Sequence, residues 1–158
     1  MFTGLSREIC ENAWAMIEPG LTRGADLGLL NGYEGSLVVL DPAAGDGSIL
    51  FTAHPGGRVH EKTLGYATAK AAVAFRTGRD TSTLRTHYPH LYREGDIIYP
   101  GGVVRDGLVV AYSGVQGEID EMVAEWFVAA VRALARLEFI APDGPDSQPT
   151  PYVGGSAK

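Results

Sequence analysis

The residues best placed to do chemistry in this sequence are its histidines and one lysine. His87 and His90 lie three positions apart among Tyr88, Pro89 and Tyr92. Neutral imidazole is a common ligand of transition metals, so the pair is a candidate metal site. Pro89 keeps it off a regular helix, and no cysteine or carboxylate cluster completes a structural zinc set, which leaves a polar loop as the alternative. His54 and His60 flank the pair Gly56-Gly57 and can converge on a ligand across that turn; solvated loop histidines are the plainer reading. Lys70 stands among small residues, between Ala67 and Ala71. A lysine there either snorkels to the edge of its helix or points into a pocket, where it can bind a carboxylate or carry a lowered pKa.

Other motifs are ruled out. Ser113 sits in AYSGV, where Ala111 and Val115 replace the glycines of a hydrolase nucleophile elbow. No G-x-G-x-x-G follows a strand and no G-x-x-x-x-G-K occurs, so nucleotide-phosphate loops are absent from the sequence. Gly114 and Gly117 precede a helix start, and free amides there form either an anion seat or an ordinary strand-to-helix turn.

These residues need elements to position them. Ser6 is placed to cap a first helix bearing Leu5, Ile9, Ala13, Met16 and Ile17, with Pro19-Gly20 expected to interrupt it. Leu37–Leu40 reads as a strand, DPAAGDG as a hairpin loop, and Ile49–Ala53 as the returning strand. A second helix carries Leu64, Ala67, Ala71, Ala74 and Phe75 on one face and ends at Gly78 as a C-cap. Its many alanines predict close packing on a flat partner such as a sheet. Thr81 is expected to cap a short helix. Ile97–Tyr99, Val103–Arg105 and Leu108–Tyr112 read as strands, the last two joined by Asp106-Gly107, a strong hairpin signal. Glu118 opens the last helix, with Ile119, Met122, Val123, Trp126, Phe127, Ala130, Leu134 and Leu137 as its apolar stripe. The order α–β–β–α–β–β–β–α with adjacent hairpins predicts an α+β fold: a central antiparallel sheet of about five strands flanked by helices. Residues 1–140 form the single domain, and residues 141–158, rich in proline and glycine, read as a disordered tail.

Composition bounds the function. The chain has 158 residues, 13 Lys+Arg against 19 Asp+Glu, and a net charge of −6. That balance argues against nucleic acid or an anionic membrane as partner. No apolar run reaches the roughly 18 residues of a membrane span, and the N-terminus does not read as a signal peptide, so a cytoplasmic location is expected. The single cysteine, Cys10, excludes an internal disulfide. The 21 glycines are about twice the usual share and point to many turns or a backbone that closely approaches a ligand.

The chain resembles the GlcG/HbpS-like family, which includes heme-binding proteins and the C-terminal domain of PduO-type proteins. The residues that carry the resemblance are Val38-Val39-Leu40-Asp41, Ala67-Thr68-Ala69-Lys70-Ala71, Gly101-Gly102, Ser113-Gly114 and Asp120, in that order along most of the chain. It implies a profilin-like layout with helices on both faces of the sheet, and assembly into dimers or larger rings. It also implies small-ligand binding, with heme as the cofactor of some members. The sequence departs from the family in two places: His54 or Pro55 stands where an arginine is frequent, and Val110-Ala111-Tyr112-Ser113-Gly114 replaces the usual I-G-V-S-G, which implies a changed pocket. The alternative function is a small-molecule enzyme, a lyase, isomerase or hydrolase acting on an anionic substrate. There the resemblance places a gap beside Gly101-Gly102 and Ser113-Gly114, with Lys70 as the charge and Glu61 or Asp120 setting its protonation. In that reading Lys70 is partly hydrated and separable from folding.

Overall fold

A computed structural model describes residues 4–141 and 143; the expected tail lies outside the described residues apart from positions 141 and 143. Four helices, α1 (Arg7–Asp26), α2 (Glu61–Thr77), α3 (Thr81–His87) and α4 (Gly117–Ile140), flank four strands. The strands are β1 (Ser36–Leu40), β2 (Ile49–Ala53), β3 (Gly102–Arg105) and β4 (Leu108–Ser113), in the order β2-β1-β4-β3, every pair antiparallel. The α+β class stands, with four strands where about five were expected.

The missing strand is Ile97–Tyr99. Pro100 removes a ladder donor, and Gly101 at φ +127° turns the chain before Gly102 begins pairing. The chain just before Ile97–Tyr99 is strapped to α2: Arg76 donates to Leu91 O at 3.1 Å and pairs with Asp96, which also accepts from Arg93 N at 2.7 Å. The second departure is at Pro19. Its missing N–H was expected to break the first helix, yet α1 runs on to Asp26. Ile17 and Leu21 on either side are both buried against the core. At Gly20 a Cβ would lie 3.3 Å from the Trp126 ring of α4, so the bare glycine lets the two helices close. Burial on both sides outweighs one lost backbone bond.

Strand alternation sorts the core into two layers. Leu37, Val39, Val110 and Tyr112 face α1 and α4, where Phe51 stacks on Phe127 at 6.3 Å between ring centres. Val38, Leu40, Val109 and Ala111 face the other way, onto Ala67, Ala71 and Ala74 of α2. The alanine ridge therefore packs on the flat sheet, as its composition predicts. The central strands β1 and β4 are buried along their whole length.

Local signals work where the chemistry is local. Ser6 Oγ accepts from Ile9 N at 3.1 Å, Gly78 closes α2 at φ +66°, and Asp106-Gly107 turns the β3–β4 hairpin at φ +52° and +83°. Thr81 is not the cap of α3. Asp80 holds that position, and its carboxylate is bonded to Val104 N and Arg105, while Thr81 Oγ1 accepts from Gly102 N at 3.0 Å. These contacts tie the start of α3 to β3. Among the described residues no helix is long and apolar enough to cross a membrane.

Candidate functional site

One end of the sheet gathers most of the residues singled out above. The start of β1, the ends of β2 and β4 and the start of β3 meet there, with Ser36 opposite Ser113 in the ladder. The end has two parts, a buried ion pair and a histidine-bearing hydroxyl chain.

The ion pair is Lys70 with Asp120. Lys70 Nζ lies 2.8 Å from Asp120 Oδ2 and donates to Tyr112 O at 3.0 Å. Both residues are buried, with 2% and 4% of their surfaces exposed. The lysine neither snorkels nor stands partly hydrated. Burial pulls the Lys70 ammonium below its ordinary value and pushes the Asp120 carboxyl above its own, and their mutual attraction opposes both shifts. Asp120 Oδ1 also accepts from Val115 N at 2.9 Å, so the protein's own carboxylate takes an amide of the loop read as an anion seat.

Glycine makes the pair possible. A Cβ on Gly101 would lie 2.6 Å from Tyr112 O, 2.9 Å from Lys70 Nζ and 3.0 Å from Asp120 Cβ. A Cβ on Gly102 would lie 3.0 Å from Lys70 O. Gly101, Gly102, Lys70 and Asp120 are thus brought together, but in direct contact and not around the gap that the resemblance implied. Glu61 is not among them: it is exposed in the first turn of α2 and no bond links it to Lys70.

The second part begins at Gly35. A Cβ on Gly114 would fall against Glu34 O and 2.5 Å from Gly35 Cα, so the Ser113-Gly114 pair lets β4 and the entry to β1 touch. That contact sets Gly35 O, which lies 3.2 Å from His54 Nδ1. The same Nδ1 is 3.0 Å from Ser36 Oγ; Ser36 Oγ is 2.8 Å from Thr63 Oγ1; and Thr63 Oγ1 donates to His60 O at 3.1 Å. His54 is buried at 8% exposure, with no hydrogen bond on Nε2 among the described residues. His60 caps the entry to α2, and its Nε2 is buried without a hydrogen-bond partner. Glu34 Oε1, at 3.5 Å, is at ion-pair range for a protonated ring but too far for a good hydrogen bond.

His87 and His90 stand apart. Both are exposed, and each ring contacts Tyr88, at 6.3 and 6.2 Å between centres, rather than the other histidine pair. Among the described residues no three His, Cys, Asp or Glu side chains group as metal ligands. Two cavities of about 270 and 260 Å³ also lie elsewhere. One sits at the opposite sheet end between Asp41, Phe75 and Gly107, the other under the strap at Arg76 and Asp96. Both fall below the roughly 300–1,000 Å³ of pockets for drug-sized ligands.

Gly35, Ser36, Thr63 and Glu34 also belong to this end of the sheet and were not expected there. Only Thr63 carried a signal, three residues after the helix-entry His60; the others join through tertiary contact.

No known family profile matches the chain, and no curated protein matches it either. Solved structures do. Streptomyces reticuli HbpS, as a double mutant, is similar at a TM-score of 0.57 and 23% identity, over 82% of this chain and 88% of that one. A PduOC complex with heme is similar at 0.55 and 20%, over 81% and 95%. The Klebsiella pneumoniae protein ORFY, of the DUF336 group, is similar at 0.54 and 16%, over 77% and 89%. In its fold, the chain stands with the GlcG/HbpS-like proteins.

Proposed function

We propose that this protein binds a heme-like iron tetrapyrrole at the histidine-bearing end of its sheet. The carrying observation is the pair of imidazoles there whose Nε2 atoms have no hydrogen-bond partner, one of them buried. A buried polar atom without a partner is uncommon and calls for a missing ligand or water. The chain around His60 offers groups that a flat ring with carboxylate arms would contact: Val59 is 61% exposed beside it, and the exposed cations Arg58 and Lys62 flank it in the chain. The residues present therefore fit the group: an imidazole can hold the iron, and the cations can meet the carboxylates. Bound there, a heme would supply iron-centred ligand or redox chemistry, while this chain's residues bind it, orient it and limit its contact with water.

The fold likeness to a heme complex supports the reading without assigning residues. An enzyme acting on an anionic substrate around Lys70 has less support, because Asp120 already meets the ammonium charge. Assembly into a homo-oligomer is proposed with it, supported by the exposed apolar side chains Met16, Leu27 and Leu29 and by Leu137 and Ile140 at the end of α4. Titration of the protein with hemin tests the binding: a saturable shift and sharpening of the Soret band is expected, and should be lost when His54 and His60 are both replaced by alanine. A spectrum identical to free hemin, or one unchanged in the double variant, contradicts the proposal.

A further inference from the structure

We infer that His54 is held as the tautomer protonated on Nδ1, so that its bare Nε2 is the base that meets the iron, while His60 serves as a hydrogen-bond donor. The inference rests on the heme reading for the iron but not for the tautomer, which follows from counting protons along the hydroxyl chain. Thr63 has one hydroxyl proton and donates it to His60 O, a carbonyl that can only accept. Of the two hydroxyls 2.8 Å apart, Ser36 must then be the donor to Thr63. Ser36 has no proton left for His54, so at the 3.0 Å contact Nδ1 is the donor. Gly35 O, 3.2 Å from the same nitrogen, requires a proton there independently. Both ends of the chain are backbone carbonyls, which never donate, so its direction does not reverse.

A neutral ring with Nδ1–H has its lone pair on Nε2, and a metal-ligating histidine is typically held by this kind of bond from its other nitrogen. His60 is biased the other way. Its Nε2 lies 3.5 Å from the Glu34 carboxylate, and of the two neutral tautomers only the one protonated on Nε2 turns an N–H and not a lone pair toward that oxygen. A proton on Nε2 leaves no lone pair for a metal but can be donated to a ligand carboxylate. The two imidazoles at the sheet end thus carry different roles.

Two experiments test this. Long-range nitrogen–proton NMR on the 15N-labelled protein without hemin reads the tautomer directly; for His54 a protonated Nδ1 and a bare Nε2 are expected, and a protonated Nε2 overturns the inference. Hemin titration of single variants then reads the iron contact. His54→Gly should weaken hemin binding at least tenfold and change the Soret band, and added imidazole should restore the band. His60→Ala should keep the band position. Ser36→Ala and Thr63→Val, folded by circular dichroism, should weaken hemin binding by about 10–100-fold, the usual effect of removing a partner that orients a metal ligand. If His60→Ala abolishes the band while His54→Gly keeps it, the assignment is wrong and the heme reading survives. If the wild type binds no hemin but Nε2 is bare, the heme reading falls and the tautomer stands.

Discussion

Removing the Lys70 ammonium should cost folding stability first. In Lys70→Met the stem volume is largely kept, but Asp120 Oδ2 loses its partner at 2.8 Å and Tyr112 O loses its donor at 3.0 Å. The carboxylate stays in a site where it is only 4% exposed. Breaking a buried pair from one side costs about 3–5 kcal/mol, more than the roughly 1.5–3 kcal/mol of a charged hydrogen bond, because an uncompensated charge remains. With a urea slope of about 2 kcal/mol/M, the unfolding midpoint should fall by about 1.5–2.5 M. Asp120→Leu should cost a similar amount, since it strands the lysine and frees the Val115 amide. The double variant should fall short of the sum of the two by about 1–3 kcal/mol, as expected for residues in direct contact. Urea unfolding followed by tryptophan fluorescence gives all four values. A midpoint shift below about 0.5 M for Lys70→Met, or strict additivity in the double variant, would refute a buried, mutually compensating pair.

Other outcomes are fixed by the same structure. Gly101→Ala combines a φ of +127° with a Cβ 2.6 Å from Tyr112 O, so it should lose about 2–4 kcal/mol in the same assay, and a near-neutral result would mean the glycine pair is not required. Burial raises the Cys10 thiol from 9.0 to about 12, so Ellman's reagent at mildly alkaline pH should label it only after unfolding. Because the folded state keeps a proton that the unfolded thiol releases, this group's stabilisation should be lost as pH rises from 9.0 through about 12; labelling of the native protein at the unfolded rate would contradict both statements. Sedimentation at micromolar concentration should show an oligomer, and a single 16.8 kDa species would remove the proposed assembly.

Much of the site's frame is legible in the sequence because it depends on residue types with narrow uses. Gly101, Gly102 and Gly114 sit where a Cβ would strike a neighbour, and Asp120 is the carboxylate that Lys70 needs once it is buried. What the sequence does not carry is the depth of Lys70. Snorkelling, pocket and ion pair predict the same helix pattern, and only the β4 carbonyl and α4 carboxylate arriving from elsewhere decide among them. The hydroxyl chain is hidden for the same reason, since Ser36, His54 and Thr63 are far apart in the sequence and meet only when the sheet and α2 are assembled. Pro19 and Ile97–Tyr99 misled because local propensity there yields to tertiary context: α1 passes through its proline under burial from both sides, and the Ile97–Tyr99 stretch runs outside the sheet between the strap at Leu91 and Asp96 and the turn at Gly101.

Heme binding at the histidine-bearing end of the sheet is tested most directly by locating ferric hemin on the labelled protein. Its unpaired electrons broaden the amide signals of nearby residues, so a nitrogen–proton correlation spectrum with and without one equivalent of hemin maps the site. Broadening is expected to be confined to residues around 33–36, 54–63 and 113–114, where His54, His60 and the Ser36 chain meet. Broadening centred on His87 and His90, or at the opposite sheet end around Asp41 and Gly107, or none at saturating hemin, would contradict it.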